Sequence, residues 1–254
     1  MNEYRSGQCL LCKWMIMRIN KYLSSCGVCS RREADRLVES GRVFLNGIRA
    51  LPGDQVETGD LVELDGKAIS LTEEKIYLRF YKPVGIVCTE EKREKDNLID
   101  YLHYPQRITY AGRLDKNSEG LMLLTNDGDL IQKLMRGRNG HQKEYQVLLD
   151  REMTDEDISR MEKGVFLKEL NVKTRPCTIK KIGDKKISIV LTQGLNRQIR
   201  RMCETFGYRV KTLKRVRLAN LGIDGLKPGQ YLPLTEAELQ GLLEVIKENG
   251  QTDI

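Results

Sequence analysis

Apolar positions recur in this chain with two different periods. From Met17 onward, Ile19, Tyr22 and Leu23 fall on one helical face, and Gly27 ends that helix. Ser30 with Glu33 then forms a helix-start signature, with Ala34, Leu37 and Val38 as the apolar face and Gly41 as the stop. Arg42-Val43-Phe44-Leu45 reads as a strand running into Asn46-Gly47, a strong hairpin signal. Residues 56–64, broken by Gly59-Asp60, read as a further hairpin. Residues 17–66 are therefore expected to form a small helix–helix–hairpin unit. Residues 67–75 are polar and read as a linker, and residues 1–16 as an extension, with Met17 as a candidate start.

A larger domain is expected over 76–254. It opens with an alternating strand, Ile76-Tyr77-Leu78-Arg79-Phe80, which must end or bend at Pro83 because proline cannot donate to a ladder. Leu121-Met122-Leu123-Leu124-Thr125 is a short continuous apolar run closed by Asn126-Asp127-Gly128, the mark of a buried strand. Asp129 reads as the cap of a short helix over 130–135. Residues 141–149 return as a strand with Tyr145 and Val147 on one face. Thr154 with Asp157 and Thr235 with Glu238 are helix starts; the second opens an amphipathic helix on Leu239, Leu242, Leu243 and Ile246. Residues 187–192 form a β-branched strand, and 205–234 read as short strands alternating with turns. Without a βαβ rhythm, the fold class is α+β with a largely antiparallel sheet.

Charge adds a partner. The chain of 254 residues carries a formal net charge of +7, which favours a polyanion, nucleic acid ahead of membrane. No apolar run approaches a membrane span, and no signal-peptide cleavage site follows the apolar stretch near Leu10; a cytoplasmic protein is expected. Cys9-x-x-Cys12 and Cys26-x-x-Cys29 have the spacing of a four-cysteine zinc site. However, Cys26 and Cys29 fall at a helix–helix junction and Cys9 and Cys12 in a segment without periodicity, so reduced thiols are the expectation.

Arg18, Lys21, Arg31, Arg32, Arg36 and Arg42 crowd the two small helices, against the acids Glu33, Asp35 and Glu39. Such an excess suits phosphate contact better than a merely solvated face. Arg-Ile-Asn-Lys-Tyr-Leu, Ser-Arg-Arg-Glu-Ala-Asp and Gly-Arg-Val-Phe-Leu-Asn-Gly together resemble the small RNA-binding motif shared by a small-subunit ribosomal protein and tyrosyl-tRNA synthetases.

Two stretches carry candidate chemistry. Gly112-Arg113-Leu114-Asp115-Lys116-Asn117-Ser118-Glu119-Gly120 is a polar, glycine-bracketed loop before the buried strand, with Asp115 between basic side chains. An Asx-turn or cap would account for an isolated aspartate there. The other stretch begins Gln193-Gly194-Leu195-Asn196-Arg197-Gln198-Ile199-Arg200-Arg201-Met202; from Gln193 to Arg217 there are eight Lys or Arg residues and one acid, Glu204. Ile199, Met202, Cys203 and Phe206 give its helix an apolar stripe, which places Arg200 next to buried positions. A buried guanidinium needs an acceptor, and Asp115 could meet that need while staying available as a nucleophile.

Lys82-Pro83-x-Gly85, Gly112-Arg113-Leu114-Asp115, Lys143-x-Tyr145 and Gln198-Ile199-Arg200-Arg201-Met202, in that order behind the small unit, resemble the RsuA/RluF family of bacterial rRNA pseudouridine synthases. The likeness runs from about Arg18 to the final helix, and the 142–145 strand and 194–204 helix lie nearest its RluF branch. The resemblance implies isomerisation of uridine to pseudouridine in folded RNA, without metal or organic cofactor. It implies that Asp115 is the catalytic aspartate, that Tyr145 packs against the target base, that Arg200 pairs with Asp115, and that Arg113 fills the gap left in the RNA stack. Lys82, Lys143, Arg197 and Arg201 are expected to contact RNA. The expected partner is ribosomal RNA, with transfer RNA as a second candidate, and the expected state a monomer. Whether Asp115 attacks the sugar carbon or deprotonates the sugar is open. The competing readings are a non-catalytic RNA-binding or ribosome-assembly protein, and a zinc-dependent RNA-modifying enzyme, against which stand the scarcity of histidines, only His103 and His141, and the weak cysteine pairs.

Overall fold

The computed structural model describes residues 16–71, 74–91, 93–136 and 140–248, and the chain divides between Lys75 and Ile76 into two compact units. In the first, β1 (Met17–Arg18) leads into α1 (Ile19–Ser25), followed by α2 (Arg31–Glu39). Ser30 Oγ accepts from the Glu33 amide at 3.2 Å, as the capping signature requires. Glu33 completes no reciprocal cap; its carboxylate takes Arg36 Nη1 at 3.0 Å instead. Ile19, Leu23, Ala34 and Val38 bury the helices against Val43 and Val62 of a four-stranded sheet.

That sheet corrects two expectations. Its strands are β2 (Val43–Leu45), β3 (Ile48–Arg49), β5 (Val62–Leu64) and β6 (Lys67–Ile69), in the order β3-β2-β5-β6. Residues 56–64 are not a hairpin, because β4 (Gln55–Val56) pairs with β1 whereas β5 pairs with β2 and β6. The second hairpin instead turns at Asp65-Gly66, whose φ values of 51° and 74° match the 52° and 78° of Asn46-Gly47. Lys67–Ile69 therefore belongs to the sheet and not to a linker. Cys26 and Cys29 pack against this core; Cys9 and Cys12 lie outside the described residues.

The second unit is built on one nine-stranded sheet. Its main path runs β13 (Thr178–Gly183), β14 (Lys186–Leu191), β10 (Lys143–Leu149), β15 (Val210–Leu218), β9 (Glu119–Thr125), β7 (Tyr77–Lys82) and β17 (Tyr231–Pro233). Short β8 (Thr109–Ala111) joins β9, and β16 (Leu221–Gly222) joins β15. A two-stranded ribbon of β11 (Phe166–Leu167) and β12 (Val172–Lys173) stands apart. Every pairing of the large sheet is antiparallel except β15 with β9, where Lys214 and Arg215 lie opposite Glu119 and Gly120. The run 210–218 is thus one long strand, not several short ones.

The continuous apolar run of β9 is explained by burial on both faces. Met122 and Leu124 enter a core with Leu78, Phe80 and α3 (Leu98–Leu102), while Leu121 and Leu123 face α4 (Gly128–Met135) and α7 (Glu236–Glu248). A third core sets Val147, Ile187 and Ile189 against α5 (Asp155–Glu162) and α6 (Gln198–Thr205). The cap of α4 is Asp127, not Asp129: its Oδ1 accepts from the Asp129 and Leu130 amides, both at 3.1 Å. Thr154 and Thr235 cap their helices as expected, and Glu238 returns to the Thr235 amide at 2.8 Å.

Candidate active site

The loop between β8 and β9 is held by its backbone. Asp115 O accepts from Ser118 N at 3.0 Å, and Lys116 O from Gly85 N at 2.8 Å. Asn117 O accepts from Arg200 Nη2 at 2.8 Å, and Ser118 O from Lys82 Nζ at 2.7 Å. Four consecutive carbonyls therefore have donors from four different places. Leu114 is buried with its amide on Cys88 Sγ at 3.5 Å. Gly112 has a φ of +72°, where a side chain is strained, and a Cβ there would displace Met135 Sδ, 2.7 Å away. A loop fixed at so many points presents its one inward carboxylate in a set place.

Asp115 opens into a cavity of about 650 Å³. The cationic residues Arg113, Lys143, Arg175, Arg197 and Arg215 line it, and Asp115 is its one acid among the described residues. Arg197 Nη1 lies 3.8 Å and Arg200 Nε 3.9 Å from Asp115 Oδ2. These are charge contacts rather than hydrogen bonds. Arg197 sits at the mouth of α6 with a φ of 51°, a left-handed conformation that costs roughly 1–2 kcal/mol for a residue with a side chain. Tyr145, half-buried on β10, touches both the α6-side core and the α3-side core and forms part of the cavity wall.

Arg200 is 8% exposed, as its place on the apolar stripe implies, and it meets Asp115 by a charge contact and not by a hydrogen bond. Its guanidinium donates to Asn117 O, to Ser118 Oγ at 3.2 Å and to Val210 O at 3.3 Å. Burial, and then the Arg197 charge, pull its pKa below the ordinary arginine value. It therefore holds the Asp115 loop first and faces the carboxylate second.

Lys82 is also placed differently from the RNA contact expected of it. It is completely buried, and its ammonium bonds Pro83 O at 2.9 Å as well as Ser118 O. Arg201 is tied to Glu169 and donates from Nε to Asn196 O at 3.1 Å. Arg113, Lys143 and Arg197 do line the cavity. In the small unit Arg18, Arg31, Arg32 and Arg36 are exposed and Lys21 is half-buried, with Arg36 ion-paired to Glu33.

The residue that sequence reasoning missed is Arg215, 1% exposed yet on the cavity wall. The signal was present: period two counted from buried Leu213 puts Arg215 on the inward face of β15. Gly120 belongs to the same feature. A Cβ there would lie 2.2 Å from Arg215 O, so the glycine lets the β15 backbone approach.

Comparison with known proteins fits this geometry. A family profile described as RNA pseudouridylate synthase matches residues 76–205, and one described as the S4 domain matches residues 17–62. Dual-specificity RNA pseudouridine synthase RluF of Escherichia coli K12 is 47% identical over 240 residues, covering 94% of this chain and 82% of that protein. The chain belongs to the RsuA/RluF family of RNA pseudouridine synthases. Ribosomal large subunit pseudouridine synthase B of Bacillus subtilis is 35% identical over 89% of this chain and 95% of its own. A crystal structure of a pseudouridylate synthase covers 89% of this chain and 99% of its own at a TM-score of 0.66 and 25% identity. As a pseudouridine synthase, the chain is an isomerase acting on uridine in RNA, with the S4 domain as its small RNA-binding unit. Among the described residues, no helix is long and apolar enough to cross a membrane.

Proposed function

We propose that the substrate is a uridine in folded large-subunit ribosomal RNA and that Asp115 carries the chemistry. The observation behind this reading is that, among the described residues, Asp115 is the one acid lining a cavity otherwise rich in cations. A stacked base cannot reach such a site, so the uridine must be flipped out at a cost of a few kcal/mol. Exposed Arg31 and Arg32 of the small unit, with Arg197 at the cavity, offset that cost through phosphate contacts. Arg113 fills the place the base leaves, and Tyr145 offers a stacking face worth about 1–3 kcal/mol. Asp115 then acts on the sugar, either by attack at the carbon that bears the base or by removing a sugar proton. The enzyme works as a cytoplasmic monomer. Transfer RNA, also a folded RNA, is the second substrate to test.

The test is tritium release from C5-tritiated transcripts of large-subunit ribosomal RNA and of transfer RNA. Asp115→Asn keeps the shape but loses nucleophilicity and basicity, so release should stop while RNA affinity survives. Turnover by pure Asp115→Asn protein would remove Asp115 from this role. Pseudouridine mapping in cells with and without the gene then identifies the position modified.

A further inference from the structure

Arg215 is a guanidinium in the wall of the active-site cavity without a counter-ion. Its Nε donates to Leu121 O at 2.6 Å. Nη2 is fully buried with no hydrogen-bond partner, and neither terminal nitrogen forms an ion pair among the described residues. Lys143, on the neighbouring strand β10, lines the same cavity; among the described residues its ammonium bonds the His141 carbonyl alone, at 3.3 Å. A buried charge without a partner is costly to desolvate, so a partner supplied by the substrate would offset that cost. Asp115 does not neutralise it, since its charge contacts are with Arg197 and Arg200.

The chemistry of the reaction supplies the missing partner. Uridine is joined to the sugar through N1, and pseudouridine through C5. The N1–C1′ bond must break, and by either route open to Asp115 its electron pair leaves with the ring. Detached uracil then holds one negative charge, shared among N1 and the two carbonyl oxygens, until the C5–C1′ bond forms. As C5 bonds to C1′, Asp115 is displaced from that carbon by the first route, or returns the sugar proton it took by the second. C5 then gives up its proton and N1 takes one, so atoms and charge balance without a co-reactant. A fixed cation beside the ring stabilises that transient anion most where water is excluded, as at an oxyanion hole.

We propose that Arg215, seconded by Lys143, forms the cationic cradle that holds the detached uracil as an anion while it turns from N1 to C5. This rests on the reading of Asp115 as the catalytic carboxylate. Depth selects the base over a phosphate as the occupant. Arg215 is 1% exposed, whereas the Arg197 side chain, where a phosphate would pass, is 43% exposed. Both cradle residues come from rigid strands, so the charge is in place before the bond breaks.

The experiment compares Arg215→Met, Arg215→Lys, Lys143→Met and Asp115→Asn in the full chain, with C5-tritiated large-subunit ribosomal RNA transcript as the probe. Arg215→Met should fold with an unchanged or raised Tm, because it removes an unpaired buried charge at similar volume. Its RNA Kd should stay within about twofold, while the single-turnover rate at saturating RNA falls about 10²–10³-fold, the usual effect of losing one such donor. Arg215→Lys should recover part of that rate, and Lys143→Met should lose about tenfold without a change in Kd. A parental saturating rate in Arg215→Met, or a weaker Kd with the salt slope lowered by about one, overturns the proposal; the latter would assign Arg215 to a phosphate. If Arg215→Met fails to fold, a parental rate in Lys143→Met overturns it. An active Asp115→Asn protein would instead sink the underlying reading.

Discussion

Arg200 Nη2 donates to the carbonyl oxygen of Asn117 at 2.8 Å, so the helix that carries Arg200 grips the Asp115 loop by its backbone. A second bond from the same guanidinium, to Val210 O, fastens the start of β15. One planar fork thus ties the Asp115 loop to the strand that carries Arg215.

Arg200→Lys keeps the charge but cannot span both carbonyls and Ser118 Oγ. The saturating rate should fall about 100-fold, the cost of misplacing a reacting group by roughly 1 Å, with RNA Kd unchanged. Arg200→Met should lose at least as much. Equal rates for Arg200→Lys and the parent, measured in single turnover, would remove the positioning role.

Lys82 and the Arg31–Arg32 pair separate structural from RNA-contacting charge. Lys82→Met should slow the reaction while leaving the salt dependence of binding unchanged, because its ammonium is spent on Pro83 O and Ser118 O. Replacing Arg31 and Arg32 with alanine should lower the slope of log affinity against log salt by about one for each phosphate that the protein no longer neutralises. Filter binding across a salt series reads both.

Burial, and then the Arg215 charge, pull the Lys143 ammonium down to about 8. The groups around it are Arg215 on β15, the His141 carbonyl, and Asp115, Arg113 and Arg175 on the other cavity walls. A lowered lysine is charged below its pKa and neutral above it, so a step that uses its charge should slow as pH rises through about 8. Lys143→Arg keeps the charge and should extend the plateau to higher pH. A single-turnover profile from about pH 6 to 10 checks both proteins; a parental rate still flat above about pH 9 would contradict the role.

Gly120→Ala should destabilise the second unit by about 3–5 kcal/mol, in the range of severe core lesions. The φ of +117° disfavours any side chain, and the Cβ would strike the Arg215 backbone. Thermal unfolding measures the loss.

Local features of this chain were readable from sequence because their causes are local. Ser30, Thr154 and Thr235 cap helices through side chains three residues from their partners, and Asn46-Gly47 sets its own turn. Asp115 stood out as a carboxylate among cations before a buried strand. What failed depended on partners far along the chain. Gln55–Val56 looks like half of a hairpin until Met17–Arg18 takes it as a partner. Lys82 looks like a phosphate contact until Ser118 O closes over it. Arg200 and Asp115 were correctly brought near each other, but the backbone carbonyls that claim the guanidinium carry no sequence signature.

The single parallel pairing, β15 on β9, has a consequence for how the enzyme comes into being. It sets Arg215 opposite Gly120, with the Arg215 side chain reaching Leu121 O across 94 residues, and the loop bearing Asp115 and the strand bearing Arg215 share a cavity only once it has formed. Partners so distant in sequence are slow to meet, because a long loop must close before anything rewards the closure. On the ribosome, a chain that ends before residue 210 can order its small RNA-binding unit but has no active site. The emerging protein can thus grip RNA before it is able to modify it.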